Sequence, residues 1–270
     1  MTKNLKKLAA FALVAATMMS ATMAQNAQQS SADNKKIEFS IHLGGNVPLG
    51  TFGKARIGYL DQPADNIGNH KYYGEANIGI NGGIKLKYHI PTIKGLGVIA
   101  TADMFHNTAF YDLLSSKPEK DEHPSYINSA VMLGANYNYD VNDKLSFWAE
   151  AGMGLNLRII TTYVNSSKLS FGSYVPLTDS KYTHDYDNAL TFAFQGGIGL
   201  KLMNKISIGL HYYNLGNAIQ KGTYTFEGYD IFENIDNIEN VTGERIRVEK
   251  PFETDVLSTS MFVFRIGYHF

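Results

Sequence analysis

The chain has 270 residues, a net charge of −1 and no cysteine. That charge balance gives no basic surface for a polyanion, so no nucleic-acid partner is expected. The missing thiol excludes disulfides, thioether lipid anchors and thiolate metal sites.

At the N-terminus, Lys3, Lys6 and Lys7 precede the apolar run Leu8 to Met19, and Thr22-Met23-Ala24 follows with small residues at the cleavage position. This pattern predicts a secretory signal peptide over 1–24, cut after Ala24. The apolar run is too short to cross ~30 Å of hydrocarbon as a helix. Residues 25–35 are expected to be a short polar periplasmic lead, and 36–270 one domain.

From residue 36 onward, apolar and polar residues alternate with the period of strands. Strands are expected near 36–44, 73–89, 95–108, 126–140, 143–162, 189–203, 205–217 and 256–270. In the first, Ile37, Phe39 and Ile41 oppose Glu38, Ser40 and His42. In the fourth, Val131, Leu133 and Ala135 oppose Gly134 and Asn136. In the last, Phe262, Phe264, Ile266, Tyr268 and Phe270 oppose Met261, Arg265, Gly267 and His269, with Val263 the apolar exception on the second face. Short turns near 90–94, 141–142 and 204 alternate with long connections near 45–72, 109–125, 163–188 and 218–255. An even number of strands with connections alternating short and long is the pattern of an outer-membrane barrel. The expected fold is therefore all-β: an eight-stranded antiparallel transmembrane β-barrel with short periplasmic turns and long extracellular loops. All prolines are expected in turns or loops, outside strand interiors. Tyr88, Tyr137, Tyr139, Phe147, Tyr268 and Phe270 would form a periplasmic aromatic girdle. Phe192 and Tyr212, with Tyr72, Tyr126 and Tyr163 nearby, would form an outer one.

A soluble eight-stranded barrel around a greasy ligand is the rival fold. Its lumen would have to bury the inward set Glu38, Lys85, Lys87, Asp103, Glu150, Arg158, Lys201 and Arg265, at prohibitive cost. In a transmembrane barrel the same residues are expected to pair as a structural charge network in the lumen. His42 and His211 also point inward. Inward glycines, among them Gly83, Gly197, Gly199 and Gly209, would leave some room, so a narrow water path is the second reading.

The leader, the eight-strand pattern and the terminal Arg265-Ile-Gly-Tyr-His-Phe270 resemble the small outer-membrane barrels of the OmpA/OmpX type. Gly44-Gly45-Asn46-Val47-Pro48-Leu49-Gly50 is similar to the outer-membrane β-barrel domain families that include PorT-like proteins. The resemblance covers nearly all of the chain after the leader and is specific for architecture rather than activity. It implies that Phe270 is part of the signal read by the outer-membrane assembly machinery. It also implies residence in the outer membrane among lipid and lipopolysaccharide.

Enzyme signatures are poor: neither Gly-x-Ser-x-Gly, His-Glu-x-x-His nor a phosphate-binding glycine loop occurs. His106, His184 and Asp185, with Ser166, Ser167 and Ser170, are the weak elements of a lipid-modifying reading, and loop histidines beside acids are common by chance. No catalytic residue, cofactor or metal is expected. Segment 218–255 carries nine acids, from Glu227 to Asp255, against Lys221, Arg245, Arg247 and Lys250. It begins Thr223-Tyr-Thr-Phe226, still alternating, so the last two strands are expected to extend past the membrane; the segment is the expected contact for an extracellular partner, or else a solvated loop. The expected function is structural or surface-binding, with a narrow porin-like channel as first alternative and a lipid-modifying enzyme as second.

Overall fold

The computed structural model of the chain describes residues 36–53, 76–108, 124–168, 179–229 and 245–270. The leader expected over 1–24 and the lead segment expected over 25–35 lie outside the described residues. The strands are β1 (Ile37–Leu49), β2 (Gly79–His89), β3 (Leu96–Thr108), β4 (Ser125–Asn142), β5 (Leu145–Ile160), β6 (Tyr163–Lys168), β7 (Asp179–Tyr186), β8 (Ala189–Leu202), β9 (Ile206–Tyr229) and β10 (Arg245–His269). One helical turn, α1 (Gly50–Gly53), follows β1.

Eight of the strands close into a ring. Neighbours run in the order β10-β1-β2-β3-β4-β5-β8-β9, and β9 pairs back onto β10. All these pairings are antiparallel. At the seam, Tyr268 of β10 faces Ile41 of β1 on one side and Ile206 of β9 on the other. Closure removes the unpaired strand edges that hydrocarbon would not tolerate. The outer wall of the ring is apolar: Leu133 and Ile198 are each 65% exposed, and Leu43, Ile80, Phe264 and Ile266 are also exposed. The alternate positions point inward, and most are polar. A wall greasy on the outside and polar within is an eight-stranded antiparallel transmembrane barrel.

Three tight turns lie at one end of the ring, between β2 and β3, β4 and β5, and β8 and β9. The last uses two consecutive left-handed residues, Met203 (φ 51°) and Asn204 (φ 58°), which matches the twist of a two-stranded hairpin. Tyr88, Tyr137, Tyr139, Phe147, Tyr268 and Phe270 are exposed on the outer wall, as expected of a girdle, and Phe192 is exposed as well. Tyr126 departs from that expectation: it points into the barrel and is 2% exposed. Tyr72 lies outside the described residues.

Two prolines lie within strands rather than in loops. Pro48 pairs with Met261 of β10, beyond the point where β1 leaves β2 at Asn46. Pro251 pairs with Thr223 of β9, where β10 no longer pairs with β1. Each sits where its strand has one ladder partner, so the missing N–H breaks no bond on the other side.

The largest difference from expectation lies at the end opposite the turns. The connection expected over 163–188 holds β6 and β7, while β9 continues to Tyr229 and β10 begins at Arg245, as the alternation of Thr223-Tyr-Thr-Phe226 leads one to expect. β7 pairs with the upper half of β9, and β6 pairs with β7. A four-stranded sheet, β6-β7-β9-β10, thus rises from one side of the ring.

Candidate functional site

The lumen is built in two tiers. The tier at the turn end carries three carboxylates in ascending order, each met by cations. Glu38 accepts from Lys201 Nζ at 2.7 Å and lies 2.6 Å from His269 Nδ1 and 3.5 Å from His89 Nε2. Glu150 accepts from Lys85 Nζ at 2.8 Å and from the Asn136 amide at 3.3 Å, with His211 Nδ1 at 3.6 Å. Lys87 Nζ donates to Asn136 Oδ1 at 2.6 Å and so joins the Glu150 rung. Asp103 accepts from Arg265 Nη2 at 2.9 Å and Tyr213 OH at 3.1 Å, and lies 2.6 Å from His42 Nε2. The Arg265 guanidinium also lies over the Tyr213 ring, 4.8 Å from its centroid.

These pairings bring together seven of the eight residues singled out as lumen charges: Glu38, Lys85, Lys87, Asp103, Glu150, Lys201 and Arg265. Arg158 stands apart from them. Its side chain is fully buried near the other end and donates to the backbone carbonyls of Leu257 at 3.3 Å and Gly216 at 3.2 Å. A buried guanidinium directed at carbonyl groups braces two strands rather than joining a charge ladder.

The second tier is mixed: an apolar cluster stands beside the buried polar residues Asn46, Asn107, Asn128, Asn156, Thr191 and Gln195. Phe105, Met132, Tyr213, Leu215, Leu257, Met261 and Val263 point inward and form one buried cluster with Tyr126 and Phe52. α1 inserts Phe52 into the ring as a stopper, with its ring 5.2 Å from that of Tyr126 in edge-on contact. Phe105 meets Tyr213 edge-on at 4.9 Å, joining the plug to the Asp103 rung.

The room expected at inward glycines is occupied. The only Trp in the chain, Trp148, points into the lumen, and a Cβ on either Gly199 or Gly209 would overlap its ring. Gly197 makes the same allowance for His211, and Gly83 for His42 and Asp103. The void among His42, Lys85, Trp148, His211 and Arg265 is about 10 Å³, on the scale of one water. A wider recess of about 450 Å³ opens at the turn end, lined by Glu38, His89, Asp140, Lys201, Lys205 and His269. The lumen thus combines a recess at the turn end with a narrow void and a packed cluster above it.

The weak enzymatic constellation does not assemble. His184 and Asp185 are neighbours on β7 and project from opposite faces of it. His184 stacks with Tyr163, Tyr186, Tyr224 and Phe252, while Asp185 accepts from Thr162 Oγ1 at 2.7 Å. His106, on β3, takes the outward phase of the wall. Ser170 lies outside the described residues. Among the described residues, no group of three or more His, Asp or Glu side chains has the arrangement of a metal site.

The chain matches no family model and no curated protein. Among solved structures it is similar to Ail, the attachment invasion locus protein of Yersinia pestis, at 13% identity over 86% of this chain and 98% of that one, with a TM-score of 0.36. It is similar to Neisserial surface protein A at 11% identity over 87% and 96%, TM-score 0.37. The outer membrane protein OprG of Pseudomonas aeruginosa gives 11% identity over 86% and 95%, TM-score 0.39.

Proposed function

We propose that this chain is an integral outer-membrane barrel, non-enzymatic, that acts through the sheet it raises above the membrane. In this reading the tight turns face the periplasm, and β6-β7-β9-β10 stands outside the cell. The barrel is the anchor, surrounded by outer-membrane lipid and lipopolysaccharide, and Phe270 is its assembly signal. The extension is the surface offered to an extracellular partner.

The observation that carries this reading is the apolar plug. A channel needs a continuous wet path, and the buried apolar cluster from Phe105 to Phe52 speaks against one through the ring. A buried ion-pair ladder with no path for ions stiffens the barrel and does not conduct. The lipid-modifying alternative loses the pair it was built on, because His184 and Asp185 project from opposite faces of β7.

The absence of cysteine makes the orientation directly testable. Glu249→Cys places a thiol on the extension, and Lys205→Cys places one in the β8–β9 turn. On intact cells a membrane-impermeant maleimide should label the first and spare the second. Labelling of Lys205→Cys alone would reverse the barrel and overturn the proposal.

A further inference from the structure

The raised sheet has its polarity turned inside out relative to the barrel below it. In the ring, even-numbered residues of β9 such as Leu210 are exposed to lipid, and odd ones such as His211 are buried inside. The pairing with β10 then slips: Ser260 faces Asn214, but Ser258 faces Asn217, so β9 holds one extra residue. Gly216 lies in this bulge with φ +85°, a conformation L side chains rarely adopt. Above it the outward positions of β9 are odd, as the exposed Ile219 shows. A second slip, between Glu253 and Val256, does the same to β10.

After both slips the aromatic residues face the barrel axis, and the described charges other than Lys250 face away. Tyr182 and His184 of β7 lie opposite Phe226 and Tyr224 of β9. Their rings are in contact, Tyr182 with Phe226 at 5.1 Å and His184 with Tyr224 at 5.1 Å. Nearer the mouth, Tyr186 and Phe252 meet edge-on at 5.5 Å across Gly222, which has no side chain to separate them. Tyr186 packs in turn against the apolar plug, which fixes this face as the inner one. On the outer face, Lys221 pairs with Glu253 at 2.6 Å, and Arg247 with Glu249 at 2.6 Å and Glu227 at 3.2 Å. Among its described residues the inner face has no acid, and Lys250 lies opposite Tyr224 on it.

We propose that this inner wall is a binding site for a glycan chain, neutral or acidic, that enters along the barrel axis. The proposal rests on the surface-binding reading above and names its ligand class. Tyrosine dominates the wall, and its rings join an apolar face to a polar tip. That combination suits a sugar, whose C–H face lies on the negative face of a ring while its hydroxyls meet phenol, imidazole and ammonium groups. A lipid chain would strip water from those heads and return no hydrogen bonds. A second barrel is too broad to reach a face turned toward the axis. The single cation and the lack of acids favour a sugar carrying carboxylate over a cationic ligand.

Saturation-transfer NMR on the full chain refolded in lipid nanodiscs tests this, with lactose and 3′-sialyllactose as probes. The expected result is saturation of pyranose C–H protons, stronger for the sialylated sugar, with that preference lost in Lys250→Ala. The double variant Tyr182→Ala/Tyr224→Ala should bind at least tenfold more weakly, with its far-UV CD unchanged. Tyr182→Phe/Tyr224→Phe, which keeps the ring faces, should stay within a few-fold of wild type. Lys221→Ala, on the opposite face, should leave binding unchanged. Transfer no greater than to empty nanodiscs, or transfer that survives the double alanine variant, overturns the proposal. Transfer to a tetra-alanine peptide but to neither sugar would assign the wall to an extended peptide and also overturn it. If Glu249→Cys is labelled from outside while both sugars stay silent, the glycan proposal falls and the surface reading stands.

Discussion

Asp103 meets Arg265, Tyr213 and His42 in the middle of the lumen, and none of the four is exposed beyond 7%. Removing one member of such a group leaves the others charged or polar without compensation. Asp103→Ala should therefore destabilise the barrel by about 3–5 kcal/mol, because Arg265 would remain buried and unpaired. Urea unfolding from lipid vesicles checks this, and a loss under about 1 kcal/mol would mean that water reaches the rung. The extension has its own sensitive residue. Burial among aromatic rings holds the His184 imidazole below its usual 6.5. The folded extension then binds that proton less readily than the unfolded chain does. The stability tied to this group is full above about pH 6.5 and falls as pH drops through that value toward the folded pKa. An NMR titration should give His184 a midpoint below 6.5, and a midpoint at or above it would contradict the packing. The charged lumen residues were legible from alternation alone, since Glu38, Lys85 and Arg265 sit opposite runs of Ile, Leu and Phe. Trp148 was legible by the same parity, between the outward Phe147 and Ala149. The apolar plug was not legible as a unit, because parity places Phe105, Met132 and Val263 inward but carries no record that they meet across the ring.

At the level of elements, the ring strands follow the alternation closely, and β3, β4 and β8 begin and end within two residues of their expected limits. Strand phase is a local property, and a greasy outer wall repeats it every second residue. That the last two strands run on past the ring was legible in the sequence; which way their faces turn there, and the added β6 and β7, were not. Thr223-Tyr-Thr-Phe226 alternates like the strand below it, but the bulge that reverses its meaning is a single extra residue. A slip of one residue exchanges the two faces of a strand, and sequence period carries no record of it. The bulge can therefore be tested by removing it. Deleting Gly216 should turn Tyr224 and Phe226 outward and Lys221 and Thr223 inward while leaving the ring below intact. Thr223→Cys, exposed in the wild-type sheet, would then lose its reactivity toward a bulky maleimide. Unchanged labelling would mean that the strand re-forms the bulge elsewhere.

The molecule as a whole joins two opposed polarity patterns in one continuous sheet. Below, lipid demands an apolar outside, and the narrow lumen is filled by paired charges, Trp148 and an aromatic plug. Above, solvent permits charges outside, and the aromatic residues turn toward the axis. Phe52 on α1 and Tyr186 on β7 belong to the same interior cluster, so the plug is also the floor of the raised wall. This continuity is the central claim: the barrel is closed, and whatever the protein binds, it binds above the closure. Single-channel recording of the refolded chain in a planar bilayer tests it most directly. The account predicts inserted protein, verified by its resistance to carbonate extraction, with no conductance steps at 1 M KCl. Reproducible steps from the wild-type chain would contradict it, for they would require a water path through Phe105, Met132 and Phe52.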